Sequence, residues 1–265
     1  MDGYKKSRRS KIEPIIKAIF YYFTFFILII SRYNNNEQSL FLFIINNFGD
    51  RCKIMTDRLL FEDFQRIIKS INDIIQENKM VLSKLDSVIG DGDHGITIAK
   101  GLDSAMEKIS KNNPATISDL LKTAGNAITI TIGGVAGPIF GTLFSEMGRA
   151  IPSDKESVDI RDLSLMFSAS LEKIMRLGGA KPGDKTMVDA YYPAVKSMEE
   201  STSANLSIKE ALEKMVKAAR AGADYTKDIV SSKGKSSYCR ERSLGYEDAG
   251  ANTVYFILKA MYEAI

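Results

Sequence analysis

The chain has 265 residues, 45% of them hydrophobic and 26% charged, an ordinary globular composition with room for one large domain or two small ones. Residues 1–54 carry nine basic and four acidic side chains, and residues 55–265 carry 27 and 29, so the net charge of +3 arises at the N-terminus. The main domain therefore shows no basic bias toward nucleic acid. The two cysteines, Cys52 and Cys239, imply no disulfide framework and fit a reducing compartment.

A basic start (Lys5, Lys6, Arg8, Arg9, Lys11) precedes an apolar run from Ala18 to Ile30. That run is shorter than the roughly 20 residues a spanning helix needs. A signal anchor would also place the acidic site described below outside the cell, away from nucleotides. The expected organisation is an N-terminal extension, 1–54, from a misassigned start, followed by a helical domain over 55–265. A membrane anchor through residues 15–31 and a disordered extension are the alternatives.

From Met55 the pattern is helical. Leu59, Leu60, Phe64, Ile67, Ile68, Ile71, Ile74 and Ile75 recur at steps of three and four, one face of a helix. A glycine-rich acidic loop follows at 85–95. Further helices are predicted over 95–110, 118–131, 138–150, 160–177, 184–201, 207–230 and 249–264. Asn112-Asn113-Pro114 and Gly133–Pro138 form two of the breaks. No segment alternates with period two, and there is no internal repeat. The fold class is all-α, an eight-helix antiparallel bundle or barrel.

The acidic loop gathers Asp86, Asp91 and Asp93, three glycines and the chain's only histidine, His94, into residues 85–95. Such crowding is unfavourable unless a hard cation sits among the carboxylates, as Mg²⁺ and Ca²⁺ do. A solvated turn is the plain alternative. An EF-hand fits less well, because the bidentate glutamate at the twelfth position is missing. His94 is open to two readings, a structural hydrogen-bonder or a ligand contact.

The other glycine-rich joints fall at 133–141, 178–186 and 234–250. With the acidic loop they follow predicted helices one, three, five and seven, so an up-and-down bundle brings all four to one end. Gly133-Gly134-Val135-Ala136-Gly137-Pro138 offers free backbone N–H groups and a helix N-terminus to a phosphate, or is a plain tight connection. Lys181, Asp184, Lys185 and Thr186 read as a helix start with Asp184 as N-cap. Lys185 faces either a phosphate or water. Arg240, Glu241, Arg242, Glu247 and Asp248 mark a lid or a salt-bridged loop. Met187 either packs in the core or faces a base.

Four motifs in this order resemble the nucleotide-binding L subunits of phosphoenolpyruvate-dependent dihydroxyacetone kinases, across about residues 57–265. They are Ile89-Gly-Asp-Gly-Asp-His-Gly95, Gly133-Gly134 through Gly137-Pro138 to Gly141-Thr142, Gly178-Gly-Ala-Lys-Pro-Gly-Asp-Lys-Thr-Met187, and Glu241-Arg242-Ser243 through Asp248-Ala-Gly250. The resemblance implies an eight-helix barrel with ADP or ATP at one end. It implies two Mg²⁺ held by Asp86, Asp91 and Asp93. It carries nucleotide contacts over to His94, Gly95, Ile96, Thr97, Val135, Ala136, Gly178, Met187, Lys235, Asp248, Ala249 and Gly250. Thr97, Ala136, Lys235 and Ala249 stand where the family usually has Asn, Ser, Arg and Pro.

The resemblance further implies a cytoplasmic phosphotransferase subunit. A phosphohistidine carrier subunit rephosphorylates its bound ADP, and the ATP formed phosphorylates dihydroxyacetone on a separate substrate-binding subunit. A homodimer stays open, nucleic acid is no partner, and a membrane enters only through residues 1–54. The alternatives are a diverged kinase domain for another triose, a tetrose or a fatty acid, and a non-catalytic nucleotide-loaded regulator.

A chain starting at Met55 is expected to bind ADP with Mg²⁺ as tightly as the 265-residue chain. Titration calorimetry on the two proteins checks this, and peptides from residues 1–54 in a membrane fraction would argue for the anchor.

Overall fold

The computed structural model describes residues 57–265. The apolar run and Met55 lie outside the described residues. Eight α-helices follow one another: α1 Phe61–Ile89, α2 His94–Asn112, α3 Ile117–Thr131, α4 Ala136–Arg149, α5 Ile160–Gly178, α6 Met187–Ser203, α7 Ile208–Tyr225 and α8 Ala249–Glu263. Two 3₁₀ segments, Thr226–Asp228 and Lys235–Ser243, occupy the α7–α8 connection. The all-α expectation holds, with one small addition. Leu59–Leu60 (β1) pairs antiparallel with Ser157–Val158 (β2). Two residues a side are too few to leave a period-two signature.

Each helix packs against the next, and α8 returns to pack against α1, so the ring closes. Apolar stripes supply the interior, with Phe64, Ile67, Ile68, Ile71, Ile75 and Leu82 of α1 all buried. Polar residues fix the helix starts. Thr116 accepts from Asp119 N at 3.1 Å, Asp159 from Asp162 N at 3.1 Å and Ser207 from Glu210 N at 3.3 Å. Each such cap is worth about 1 kcal/mol. Asn113 ends α2 in the left-handed region at φ 44°. No described helix is long and apolar enough to cross a membrane.

Three boundaries differ from the sequence expectation. Helix α1 runs on to Ile89, so Asp86 sits in its last turn rather than in a loop. Helix α6 starts at Met187, not at 184, because Lys185 adopts φ +59°, which no right-handed helix allows. Thr186 is its N-cap, with Asp189 as the reciprocal acceptor, so Asp184 is not the cap. Helix α7 stops at Tyr225, and residues 226–229 turn into the connection.

Gly141, counted from sequence with a loop, lies inside α4 and serves packing. A Cβ there would fall 1.9 Å from Thr129 Oγ1 and 2.5 Å from Gly125 O. On Gly125 it would fall 2.4 Å from Gly141 O. The two glycines face each other and let the α3 and α4 backbones approach.

Gly141→Ala is therefore expected to destabilise the fold by about 1–3 kcal/mol through overpacking, outweighing the roughly 1 kcal/mol gain in helix propensity. Urea denaturation followed by circular dichroism measures it. A variant as stable as the parent would mean the two helices can part without cost.

Candidate metal and phosphate site

Contacts between neighbouring joints show that all four odd-numbered connections meet at one end. The α1–α2 and α7–α8 joints touch where Lys235 Nζ donates to Asp91 Oδ2 and Cys239 Sγ reaches Ile89 O at 3.7 Å. The start of α2 meets α4 where the His94 and Phe140 rings stand edge to face, 5.8 Å between centroids. The end of α5 meets the start of α4, since a Cβ on Gly178 would lie 3.2 Å from Ile139 Cδ1. The α5–α6 joint meets the α7–α8 joint where Ser232 Oγ donates to Asp184 Oδ1 at 2.7 Å.

Asp86, Asp91 and Asp93 each offer a carboxylate oxygen, and these lie within 4.8 Å of one another. Asp86 Oδ2 accepts from Gly92 N at 2.8 Å and from His94 N at 3.3 Å. A Cβ on Gly90 would fall 2.2 Å from Asp86 Oδ1 and 2.9 Å from Asp86 O, so a side chain there would displace the Asp86 carboxylate. Burial raises the Asp86 pKa; the two N–H bonds oppose this, and the charge of Asp91 adds to it. The hydrogen bond from Lys235 holds Asp91 low, and the same bond raises Lys235. A cluster of hard oxygen donors, one of them a carboxylate whose pKa is raised, suits a hard divalent cation.

His94 is half-buried and bridges two helices. Its Nε2 lies 2.8 Å from Thr253 Oγ1, and Thr253 gives its one proton to Ala249 O at 2.9 Å. The imidazole proton therefore sits on Nε2. Burial pushes its pKa down to about 4, so the ring is neutral at pH 7. This geometry gives His94 a structural role between α2 and α8.

The α4 N-terminus has a different character. Its N-cap, Val135, is 73% exposed and makes no side-chain cap. Gly134 has φ +66°, and a Cβ on Gly133 or Gly134 would meet nothing within 4 Å. Protein packing thus does not require these two glycines, unlike Gly95, where a Cβ would fall 1.9 Å from Lys79 O. Uncapped N–H groups at a helix start, beside residues that leave space for close approach, suit an anion.

The remaining expected positions divide. Ile96 is 53% exposed, Thr97 and Ala136 are half-buried, and Thr97 N donates to Asp93 O at 2.9 Å. Met187 belongs to the core, yet a Cβ on Gly250 would lie 3.5 Å from its Cβ, so it also backs the α8 start. Asp248 caps α8, accepting from Ala251 N at 2.7 Å, with buried Ala249 behind it. Burial pushes the Asp248 pKa up to about 7, against that N–H bond.

Lys185 contradicts both sequence readings, because it faces neither a phosphate nor water. It is fully buried, and its Nζ donates to the carbonyls of Thr226, Ile229, Ser243 and Tyr246. No local pattern marks such a residue, since its partners lie 41 to 61 positions away. Asp184, also buried, accepts from Lys181 N at 2.9 Å and ties the joint to Ser232. In the 234–250 loop Glu247 pairs with Arg220 at 2.5 Å. Among the described residues Arg240, Glu241 and Arg242 form no ion pair, so this loop is held by the Glu247 and Lys235 pairs together with the carbonyl contacts to Lys185.

A family model described as "DAK2 domain" matches residues 88–263. The chain is 36% identical over 198 residues to the ADP-binding subunit DhaL of PEP-dependent dihydroxyacetone kinase 1 from Listeria innocua, covering 75% of this chain and 93% of that one. It is 35% identical over 189 residues to the corresponding Escherichia coli subunit, covering 71% and 90%. The fold is similar to the crystal structure of the dihydroxyacetone kinase from C. freundii in complex with AMP-PNP and Mg²⁺. The TM-score is 0.58 at 23% identity, over 75% of this chain and 33% of that one.

Asp248 yields a pH prediction. Its folded pKa of about 7 lies above the ordinary 3.8, so between these values the folded protein keeps a proton that the unfolded chain has lost. Raising the pH through that window favours unfolding. Asp248→Asn keeps a capping side chain and removes the titration. Between about pH 5 and 7.5 the variant is expected to gain on the order of 2 kcal/mol relative to the parent. His94 acts in the opposite sense but equally in both proteins, so it cancels. Urea denaturation at the two pH values gives the difference, and parallel profiles would mean that Asp248 titrates normally.

Proposed function

The chain belongs to the DAK2-domain family, and we propose that it is the ADP-binding phosphotransferase subunit of a phosphoenolpyruvate-dependent dihydroxyacetone kinase. The observation that carries this reading is the cluster of Asp86, Asp91 and Asp93 at the end of the ring where the uncapped α4 start also lies. Coverage of almost the whole length of the ADP-binding relatives supports it.

In this reading Asp86, Asp91 and Asp93 hold Mg²⁺, with two ions expected. The donor set fits, being all oxygen, with one carboxylate kept basic by burial. When bound, Mg²⁺ would neutralise charge on the nucleotide's phosphate oxygens as the phosphoryl group is passed on. The residues of the chain do the positioning. Gly92 N–H and His94 N–H fix the Asp86 carboxylate. The α4 N–H groups, reached past Gly133, Gly134, Val135 and Ala136, bind phosphate oxygens. Lys235 adds a positive charge beside Asp91. Gly95, Ile96, Thr97, Gly178, Met187, Asp248, Ala249 and Gly250 line the rest of the nucleotide site, and neutral His94 braces α2 against α8. No side chain is phosphorylated. Binding and orientation lower the barrier, with charge-assisted contacts meeting charge that develops in transfer.

The partners that complete the reaction are a phosphohistidine carrier, which returns a phosphoryl group to ADP, and a subunit that presents dihydroxyacetone. The compartment is the cytoplasm, where both the nucleotide and the phosphoryl donor are available.

The protein purified without added nucleotide is expected to carry ADP, released by denaturation or by chelating Mg²⁺. Chelation should also lower the melting temperature, because ligand present at about a thousandfold over its dissociation constant stabilises by about 4 kcal/mol. Asp91→Asn and Asp93→Asn should retain the helical circular dichroism spectrum, lose the ADP and abolish transfer. Full activity in either variant would overturn the metal assignment, and an ADP yield far below one per chain would point to freely exchanging ATP.

A further inference from the structure

Among the described residues Lys185 is the only buried basic side chain. Its Nζ lies 2.7 Å from Thr226 O, 3.2 Å from Ile229 O, 2.5 Å from Ser243 O and 2.6 Å from Tyr246 O. An ammonium has three N–H groups, so four carbonyls exceed its donors and surround it as oxygens surround an alkali cation. No carboxylate bonds to it. Asp248, Asp189 and Asp228 act on it only through charge, opposing the burial that lowers its pKa. The residue also keeps φ +59°, a conformation that costs a non-glycine residue about 1–2 kcal/mol. A strained backbone and a desolvated charge persist only where the surroundings hold them in place.

What the ammonium gathers is the whole α7–α8 connection. Thr226 and Ile229 belong to its entry, Ser243 to the end of its 3₁₀ segment, and Tyr246 to its exit two residues before the α8 cap. Bonds within the connection lie around the same point: Gly245 N to Lys227 O at 2.7 Å, Asp248 N to Thr226 Oγ1 at 2.9 Å and Ser231 N to Ser243 Oγ at 2.9 Å. The connection carries Lys235, which reaches Asp91, and ends at Asp248. Lys185 itself is anchored next to Thr186, the cap of α6.

We propose that Lys185 is a positioning residue for the nucleotide site: its ammonium fills a monovalent-cation cage of four carbonyl oxygens and holds the 226–248 connection in the shape that presents Lys235, Asp248, Ala249 and Gly250. This rests on the ADP-binding reading given above. Lys185 touches neither nucleotide nor metal. Its loss acts on the rate at which the nucleotide escapes, because the connection then opens more easily.

The test uses a fluorescent ADP analogue bound with Mg²⁺ and chased with unlabelled ADP. Lys185→Gly is the variant, because glycine accepts the positive φ. In sodium buffer its release is expected to be about tenfold faster than the parent's, a barrier lowered by about 1.4 kcal/mol. Potassium or n-butylammonium at equal ionic strength should slow it again by filling the cage, a rescue that loss of ordinary packing would not show. Unchanged release, or fast release indifferent to the cation, overturns the proposal. If the variant does not fold, hydrogen exchange on the parent after chelation decides. Slow exchange at Ser231, Gly245 and Asp248 supports a connection held without nucleotide, and fast exchange there overturns it. A parent that takes up no analogue refutes the ADP-binding reading instead, and the exchange result still judges Lys185.

Discussion

The packing of α8 back onto α1 is the constraint from which the site follows. Eight helices in sequence could form an open stack, with first and last helices exposed on one face each. Closing the ring buries those faces and leaves every connection at a rim. Because the helices run up and down, odd connections share one rim. The acidic turn, the α4 start, the Lys185 joint and the long α7–α8 connection are thus neighbours even though residues 86 and 248 are far apart in sequence. The contacts of His94 with Phe140 and Thr253 link three helices across this rim.

Charge at this rim is managed in three different ways. The Asp86, Asp91 and Asp93 carboxylates are crowded and only partly offset by Lys235, which leaves a site that favours a cation. His94 is pushed by burial to its neutral form, so it contributes hydrogen bonds rather than charge, and Asp248, raised to about 7, is only partly ionised at pH 7. Lys185 keeps its proton in a dry interior by surrounding it with carbonyl dipoles, the arrangement that makes desolvating an ammonium tolerable. Only the first of these leaves an attraction for a ligand. The other two shape the walls around it.

The glycines separate along the same line. Gly95, Gly125, Gly137 and Gly141 leave no room for a Cβ, which would fall within 2.4 Å of a backbone or hydroxyl oxygen. They serve the close packing of helices. Gly133 and Gly134 have open space where a side chain would be, so packing against the protein does not require them. A glycine-rich stretch therefore mixes two physical roles, and the contacts of the absent Cβ distinguish them.

Sequence alone determined the number of helices among the described residues, the class of fold and the carboxylate cluster. Periodicity of apolar residues is a local property, and so is the repulsion of three acids within eight positions. It also placed the four glycine-rich joints at one end, because up-and-down alternation depends only on counting. It misplaced the start of α6, where Lys185 takes a left-handed backbone that local pattern does not report, and so assigned the cap to Asp184 rather than Thr186. It left His94 between two readings, and only the packed chain shows the contacts with Thr253 and Phe140 that give it a structural role. It set Lys185 against phosphate or water, whereas its four carbonyl partners lie 41 to 61 residues downstream. Local chemistry can announce which side chains repel or repeat. Which distant carbonyl a buried ammonium meets is set only when the ring closes, because that contact exists in the packed chain and nowhere in the linear one.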